Sequence, residues 1–134
     1  MVKKSSYMLH KYLRRYPLTL LLAIVIVLLS LLPIPDVKMP VQVPLADKWT
    51  HMVMYGTFAL VIWWEYGRSH KRRLWKSLLC WAVFAPIAFS GLMELLQAYA
   101  TTYRSGEWLD LLANTIGVLI GSLIGFGLFC KRFD

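Results

Sequence analysis

The sequence is poor in acidic residues and lacks the short patterns that mark metal sites and common metalloenzymes. Of its 134 residues, seven are Asp or Glu, three are His and two are Cys. Cys80 and Cys130 are too far apart in sequence to form a CxxC pair, and no HExxH sequence is present. These absences argue against a zinc or redox site. The sequence predicts neither a bound metal ion nor a cofactor.

Hydrophobic residues, in contrast, make up 58% of the chain, and charged residues make up 16%. This composition is more apolar than that of an ordinary soluble domain and indicates one membrane domain over residues 1–134. About 20 helical residues cross the ~30 Å hydrocarbon core of a bilayer. The apolar runs predict an all-α, integral membrane four-helix bundle, with helices at about residues 12–32, 48–66, 74–99 and 108–129.

The basic residues account for the net charge of +8 and predict the orientation of the helices. Twelve of the fifteen Lys and Arg residues lie in three segments: residues 3–15 at the N-terminus, residues 68–76 around the connection of the second and third predicted helices, and residues 131–132 after the fourth. Loops rich in Lys and Arg stay in the cytoplasm, so both termini and the middle loop are predicted to be cytoplasmic. The same residues favour membrane lipids as partners. No motif points to a nucleic acid.

Proline marks the connection between the first two predicted helices. Residues 33–44 contain four prolines, which restrict the backbone and predict an extended, proline-rich external loop. Its role stays open between a cover over the outer face of the helices and a simple connection. Pro86 lies inside the third predicted helix, where it is expected to produce a kink or a close helix contact.

One face of the second predicted helix carries polar residues from the outer surface into the membrane. Asp47, His51 and Tyr55 are four residues apart and therefore share a face, and Lys48 lies beside them. Asp47 is equally well explained as the N-cap of this helix. His51 and Tyr55 lie deeper, where polar groups are costly and usually face a partner or a cavity. These two residues are therefore candidates for binding.

The outer halves of the third and fourth helices carry a second polar set. Glu94 and Gln97 share a face of the third helix, and Asp110 and Asn114 share a face of the fourth. Arg104 lies in the loop that joins these two helices. An unpaired charge at Glu94 would cost on the order of several kcal/mol. Glu94 is therefore expected to be protonated, paired with a cation or open to a wet cavity.

All of these polar residues fall at one depth, in the outer third of the predicted bundle. A structural hydrogen-bond network that locks the helices together is one explanation, but each such bond contributes only about 1 kcal/mol in a membrane. Ionisable residues inside a membrane are functional candidates by default. We therefore favour an outward-facing polar pocket formed by Asp47, Lys48, His51, Tyr55, Glu94, Gln97, Arg104, Asp110 and Asn114.

Glycine recurs on the fourth predicted helix. Gly117, Gly121 and Gly125 are spaced by four residues and continue the face that carries Asp110 and Asn114. This spacing lets the backbones of two membrane helices approach closely. We interpret the three glycines as helix-packing residues, and a homo-oligomer through the glycine face is one version of such packing.

The order and spacing of these residues are similar to those of the VanZ-like family of small bacterial membrane proteins. The resemblance rests on Asp47-Lys-x-x-His51-x-x-x-Tyr55, Glu94-x-x-Gln97, Arg104 and Asp110-x-x-x-Asn114-x-x-Gly117-x-x-x-Gly121. It implies a multi-pass protein of the bacterial inner membrane that acts at the cell envelope. The namesake of the family is associated with low-level resistance to the lipoglycopeptide antibiotic teicoplanin, so the resemblance also implies a link to antibiotic resistance.

Three functions are compatible with these features. The preferred one is a binding or lipid-handling protein whose pocket holds an anionic headgroup, such as that of a lipid-linked cell-wall precursor, or a lipoglycopeptide. Arg104 and Lys48 would contact the anion. The second is an outer-leaflet hydrolase or transferase, in which Glu94 or Asp110 is the general base and His51 is the acid or a metal ligand. The third is a structural subunit that binds a partner through the glycine face.

Overall fold

The computed structural model describes residues 2–32, 46–69, 75–100 and 108–129. These residues form helices and no strand, which confirms the predicted all-α fold class. The proline-rich loop and the loop that contains Arg104 lie outside the described residues. The helices are α1 (Val2–Arg15), α2 (Pro17–Leu31), α3 (Ala46–Ser69), α4 (Trp75–Leu79 and Ala85–Ala100, joined by a π-helical turn at Cys80–Phe84) and α5 (Trp108–Phe129).

The first predicted helix, at residues 12–32, is instead two helices. α1 and α2 meet at Tyr16 and are bent by 91° relative to each other. Pro17 explains the break, because its ring disfavours helical backbone at the preceding residue, and Tyr16 has φ −127° and ψ 50°. Pro17 then occupies the first turn of α2, where the missing N–H costs little. The prediction was wrong because a helix that begins at residue 12 would place this proline in its interior.

α1 is amphipathic and has no buried residue. At 100° per residue, Lys4, Lys11 and Arg15 fall on one side of the helix, and Leu9 and Leu13 fall on the opposite side. A helix with one basic and one apolar face is typical of segments that lie in the plane of a membrane surface. Its bend away from α2 is compatible with that position.

α4 changes its helical geometry immediately before Pro86. The N–H group of Ala85 donates to the carbonyl of Cys80, five residues earlier, as in a π-helix. In a regular α-helix the ring of Pro86 would clash with the carbonyl of Ala82. A wider turn at this point separates the two groups. The irregularity expected at Pro86 is therefore a π-helical turn, and both Pro86 and Ala82 are buried.

α3 is the central helix and contacts α2, α4 and α5. Its buried apolar side chains supply much of the core: Tyr55, Phe58, Ala59, Ile62, Trp63 and Tyr66. Glu65, near the end of α3, meets the start of α2, whereas Lys48, near its beginning, meets the start of α5. α3 therefore runs antiparallel to α2 and parallel to α5.

Glycine lets α3 and α5 pack backbone against backbone. A Cβ atom at Gly117 would lie 2.2 Å from the carbonyl oxygen of Met52, and one at Gly121 would lie 2.2 Å from that of Gly56. Gly125 lies against an aromatic side chain of α3. From the sequence, this glycine face could have joined two copies of the chain. In the structure, α3 of the same chain covers it.

Two helical segments, Ser77–Ala100 and Trp108–Leu128, are long and apolar enough to cross a membrane. α1 and α2 count as a third span if the bent pair crosses as one unit. The chain is therefore a membrane protein. The two segments correspond to the last two predicted helices. α3, which carries Lys48, Glu65 and Arg68, does not reach the same hydropathy, and the predicted four-span topology with cytoplasmic termini stays a prediction.

Candidate functional site

The first turns of α3 and α5 bring three ionisable side chains together. The ammonium group of Lys48 contacts the carboxylate of Asp110, and Nε2 of His51 lies 4.0 Å from the Oδ2 atom of the same carboxylate. These side chains are only 13%, 19% and 11% exposed for Lys48, His51 and Asp110, respectively. Water therefore screens the charges less than it would on an open surface.

Asn114 orients the ring of His51. Its Oδ1 atom lies 3.0 Å from Nδ1 of His51, and its amide nitrogen donates to Oγ of Ser90 at 2.9 Å. Because the amide nitrogen is used on Ser90, Oδ1 is the acceptor and Nδ1 of His51 carries the proton. Nε2, the other ring nitrogen, faces Asp110. We refer to Lys48, His51, Ser90, Asp110 and Asn114 as the polar cluster.

The parallel packing of α3 and α5 explains why these residues meet. Lys48 and His51 are three residues apart on α3, and Asp110 and Asn114 are four apart on α5, so each pair follows one face of its helix. The N-termini of both helices lie at the same end, and each carries a partial positive charge. The carboxylate of Asp110, in the first turn of α5, is stabilised by that charge as well as by its neighbours.

α4 contributes two further predicted residues, which occupy different surroundings. Nε2 of Gln97 donates to the carbonyl of Ser30 at 2.8 Å and so joins the ends of α4 and α2. Glu94 is 9% exposed and lines a cavity of about 590 Å³ between α4 and α5, which we call the α4–α5 cavity. The other lining residues are mostly apolar, among them Gly91, Leu95, Trp108 and Leu111.

Tyr55 lies below the polar cluster on the same helix as His51 and is 1% exposed. Its ring centroid lies 6.4 Å from that of Phe58 and 6.5 Å from that of Phe89. Its hydroxyl has no hydrogen-bond partner among the described residues. Leaving a buried hydroxyl unbonded costs about 1–3 kcal/mol. Tyr55 is thus a core residue whose buried hydroxyl forms no hydrogen bond within the described part of the fold.

The structure brings together four of the nine residues predicted to form the site: Lys48, His51, Asp110 and Asn114 contact one another. α3 begins at Ala46, so Asp47 lies inside its first turn, but the side chain of Asp47 is outside the described part. Arg104 is outside the described residues altogether. The roles predicted for these two residues stay predictions.

A second buried carboxylate, Glu65, lies at the opposite end of α3 and was not among the predicted site residues. It is 0% exposed. The backbone N–H groups of Leu18 and Thr19 donate to it at 2.8 and 3.0 Å, and the Thr19 hydroxyl donates at 2.7 Å. The guanidinium group of Arg68, three residues later on α3, lies 4.0 Å away. Glu65 therefore satisfies the free N–H groups at the start of α2.

The chemistry of the polar cluster suits an anion. Lys48 and a protonated His51 both donate hydrogen bonds. Within the described ranges, no group of three His, Cys, Asp or Glu side chains is placed to hold a metal ion.

Comparison with known proteins decides the family. The family model described as VanZ/LLP1 matches residues 4–129. The chain belongs to the VanZ/LLP1 family. This confirms the resemblance found in the sequence, and the matched residues of this VanZ/LLP1 protein include the polar cluster, the α4–α5 cavity and Glu65.

This VanZ/LLP1 protein is also similar to the uncharacterized protein C11E3.10 of Schizosaccharomyces pombe, with 30% identity over 111 residues. The match covers 83% of this chain and 65% of the yeast protein, so this chain spans less than two thirds of the length of its relative. No solved structure matches. A yeast relative does not indicate a bacterial source, so the location in a bacterial inner membrane stays a prediction.

Proposed function

We propose that this VanZ/LLP1 protein binds the anionic headgroup of a membrane lipid at the polar cluster. The observation that supports the proposal best is the meeting of Lys48, His51 and Asp110 where two parallel helices begin. Asp110 holds the two donors side by side, and a phosphate group accepts hydrogen bonds from both. With His51 protonated, the three side chains carry one net positive charge, to which the two helix N-termini add.

The α4–α5 cavity supports a lipid rather than a free anion as the ligand. On α5, Trp108 and Leu111 line the cavity and flank Asp110 of the polar cluster. On α4, Glu94 lies one helical turn after Ser90. An apolar chain in the cavity would therefore place its headgroup beside Lys48 and His51.

Glu94 indicates which anionic headgroups fit the site. Its carboxylate lines the same cavity and accepts a hydrogen bond from a hydroxyl or amide group. A headgroup that combines a phosphate with hydroxyl or amide groups satisfies both sides of the site, as in a lipid-linked cell-wall precursor. The family membership supports the further proposal that this binding lowers sensitivity to teicoplanin.

Replacing His51 tests the proposal. The probe is a polyprenyl phosphate, added to the purified full chain in detergent, and the polyprenol without its phosphate is the matched probe. His51→Gln keeps a donor for Asn114 but removes the ring nitrogen Nε2 that faces Asp110. Because a hydrogen bond to a charged group contributes about 1.5–3 kcal/mol, the affinity for the phosphate is expected to fall about tenfold or more. The affinity for the polyprenol is expected to stay unchanged.

His10→Gln is the control, since His10 is exposed on α1 and the substitution is the same. Equal affinities of His51→Gln and the unchanged protein for the polyprenyl phosphate would overturn the proposal. Steady release of inorganic phosphate that His51→Gln abolishes would favour the alternative of a hydrolase, in which His51 and Asp110 act on the lipid. In cells, the matching readout is growth in teicoplanin with each variant.

A further inference from the structure

A second and larger groove lies toward the opposite end of the helices from the polar cluster. It encloses about 840 Å³ and is lined by side chains from α1, α2, α3 and α4. Aromatic residues dominate its walls, and we therefore call it the aromatic groove: Tyr12, Tyr16, Phe58, Tyr66, Trp81 and Phe89.

Two irregular features of the chain shape the aromatic groove. The π-helical turn of α4 provides Trp81, and the residues that follow it, Ala85 and Pro86, continue the same wall. π-Helical turns are frequent at functional sites because they displace side chains from their regular positions. The bend at Tyr16 turns α1 away from the axis of α2 and places Tyr12 at the groove.

The polarity of the aromatic groove changes along its length. Phe58 and Ile62 lie toward the middle of α3 and are apolar, whereas Tyr66, one turn further along α3, and Tyr12 and Tyr16, where α1 meets α2, carry hydroxyl groups. Burial raises the pKa of Tyr16 to about 12. A groove that is apolar at one end and has hydroxyl-bearing aromatic rings at the other suits an amphiphile whose polar end lies at the membrane surface.

The helix that supplies Tyr12 to this end of the groove is basic. Lys11, Arg14 and Arg15 lie in the last turns of α1, and the positive charge of Arg15 lies close enough to act on the phenol of Tyr16. The nearby carboxylate of Glu65 is fully buried and already accepts three hydrogen bonds from the start of α2. The amphiphile that this arrangement complements carries a negative headgroup, as do the acidic lipids of a membrane surface.

We propose that the aromatic groove binds one acyl chain of an anionic glycerophospholipid, whose phosphate group contacts the basic last turns of α1. The site differs from the polar cluster in its place and its lining residues, and it would exist whether or not the polar cluster binds a lipid. It assigns α1 a specific contact with one lipid in addition to its general attraction to a charged surface.

Filling the groove tests where the lipid lies. The full chain in detergent is titrated with dioleoyl phosphatidylglycerol, and bound lipid is counted by native mass spectrometry. Leu20→Trp places an indole in the groove, and Leu21→Trp makes the same change at the next residue, which is exposed and does not line it. Leu20→Trp is expected to lower the occupancy at least fivefold, and Leu21→Trp is expected to leave it unchanged.

A second filling substitution guards against a folding defect. Ala85→Leu enters the groove from α4, on the opposite wall, and circular dichroism with gel filtration reports whether each variant is folded. Occupancy that stays at the wild-type level in either folded groove variant would overturn the proposal. Equal losses in Leu20→Trp and Leu21→Trp would also overturn it, because the lipid would then be bound by the outer surface of α2.

A second experiment tests the contact between the lipid phosphate and α1 by comparing two basic residues on one face of that helix. Arg15→Gln is expected to abolish the preference for phosphatidylglycerol over neutral phosphatidylcholine. Lys4→Gln removes the same charge on the same face, about 16 Å away at 1.5 Å per residue, and is expected to retain that preference. Equal effects of the two substitutions would replace the proposed site with a diffuse attraction along α1.

Discussion

At the scale of single residues, Glu65 ties the end of α3 to the beginning of α2 through one carboxylate. The first N–H groups of a helix have no partner within it, and here a side chain from another helix accepts from two of them. The Thr19 hydroxyl adds a third bond to the same carboxylate. A buried charge is tolerated at this place because every one of these donors points toward it.

Thr19→Val is therefore expected to destabilise the protein. The substitution keeps the shape of the side chain but removes one donor from a buried carboxylate, which lowers the free energy of unfolding by about 1–2 kcal/mol. Thermal unfolding of the detergent-solubilised protein measures the loss. Thr115→Val is the control, since the Thr115 hydroxyl bonds only the carbonyl of Leu111 in its own helix. Identical melting temperatures for the two variants would contradict this role of Thr19.

The sequence indicated part of this residue-level organisation. The spacing of His51, Asp110 and Asn114 predicted which faces carry polar groups, and these residues do contact one another. The link from Glu65 to α2 could not be predicted in the same way, because its main partners are backbone N–H groups that leave no mark on the sequence. Ser90, which bonds Asn114, was not among the predicted site residues.

At the scale of helices, the contact between α3 and α5 depends on residues without side chains. The carbonyl oxygens of Met52 and Gly56 occupy the space that a Cβ atom would need at Gly117 and Gly121. These contacts set the depth at which α5 lies along α3. They therefore also set the register in which Lys48 meets Asp110.

Gly121→Ala tests this dependence. The added methyl group would lie 2.2 Å from a backbone oxygen, so the helices must separate, and overpacking of this kind costs about 1–3 kcal/mol. The melting temperature in detergent is expected to fall by several degrees. Gly127→Ala is the matched control, because a Cβ atom there would meet no other helix of the described residues within 4 Å. A similar loss in both variants would show that the close contact is unimportant.

The glycine spacing indicated a packing face on the fourth predicted helix, but it did not identify the partner helix. Gly56, which lies on α3 and contacts Gly121, has no second glycine four residues away in the sequence. Pro17 carried the signal for the break between α1 and α2, yet the apolar run that follows it favoured one continuous helix. In both cases the sequence showed the local pattern, namely the glycine spacing and the proline. Its effect on the fold depended on which other helix packs beside it.

At the scale of the whole molecule, the described helices alternate in direction. α2 and α3 run antiparallel, and α3 and α5 run parallel, as expected if each predicted span crosses the membrane in turn. Among the described residues, the basic last turn of α1 and Arg68 then lie at one end of the helices, and the polar cluster lies at the other. The orientation itself rests on the positive-inside pattern of the sequence.

Fusing a reporter to the C-terminus tests that orientation. Green fluorescent protein fused after Asp134 is expected to fluoresce in a bacterial host, because both termini are predicted to be cytoplasmic. Alkaline phosphatase at the same position is expected to be inactive, since this enzyme requires export. Moving the phosphatase into the proline-rich loop, after Lys38, is expected to activate it. An active phosphatase at the C-terminus would reverse the predicted topology.

The parallel pairing of α3 and α5 also has a consequence for biosynthesis. α3 is the least apolar of the three long helices, and the partner that covers its glycine and its charged first turn is α5. A ribosome completes α3 well before it begins α5. α3 therefore reaches its final position in the bilayer only after α5 has emerged from the ribosome. The polar cluster forms only when synthesis of the chain is nearly finished.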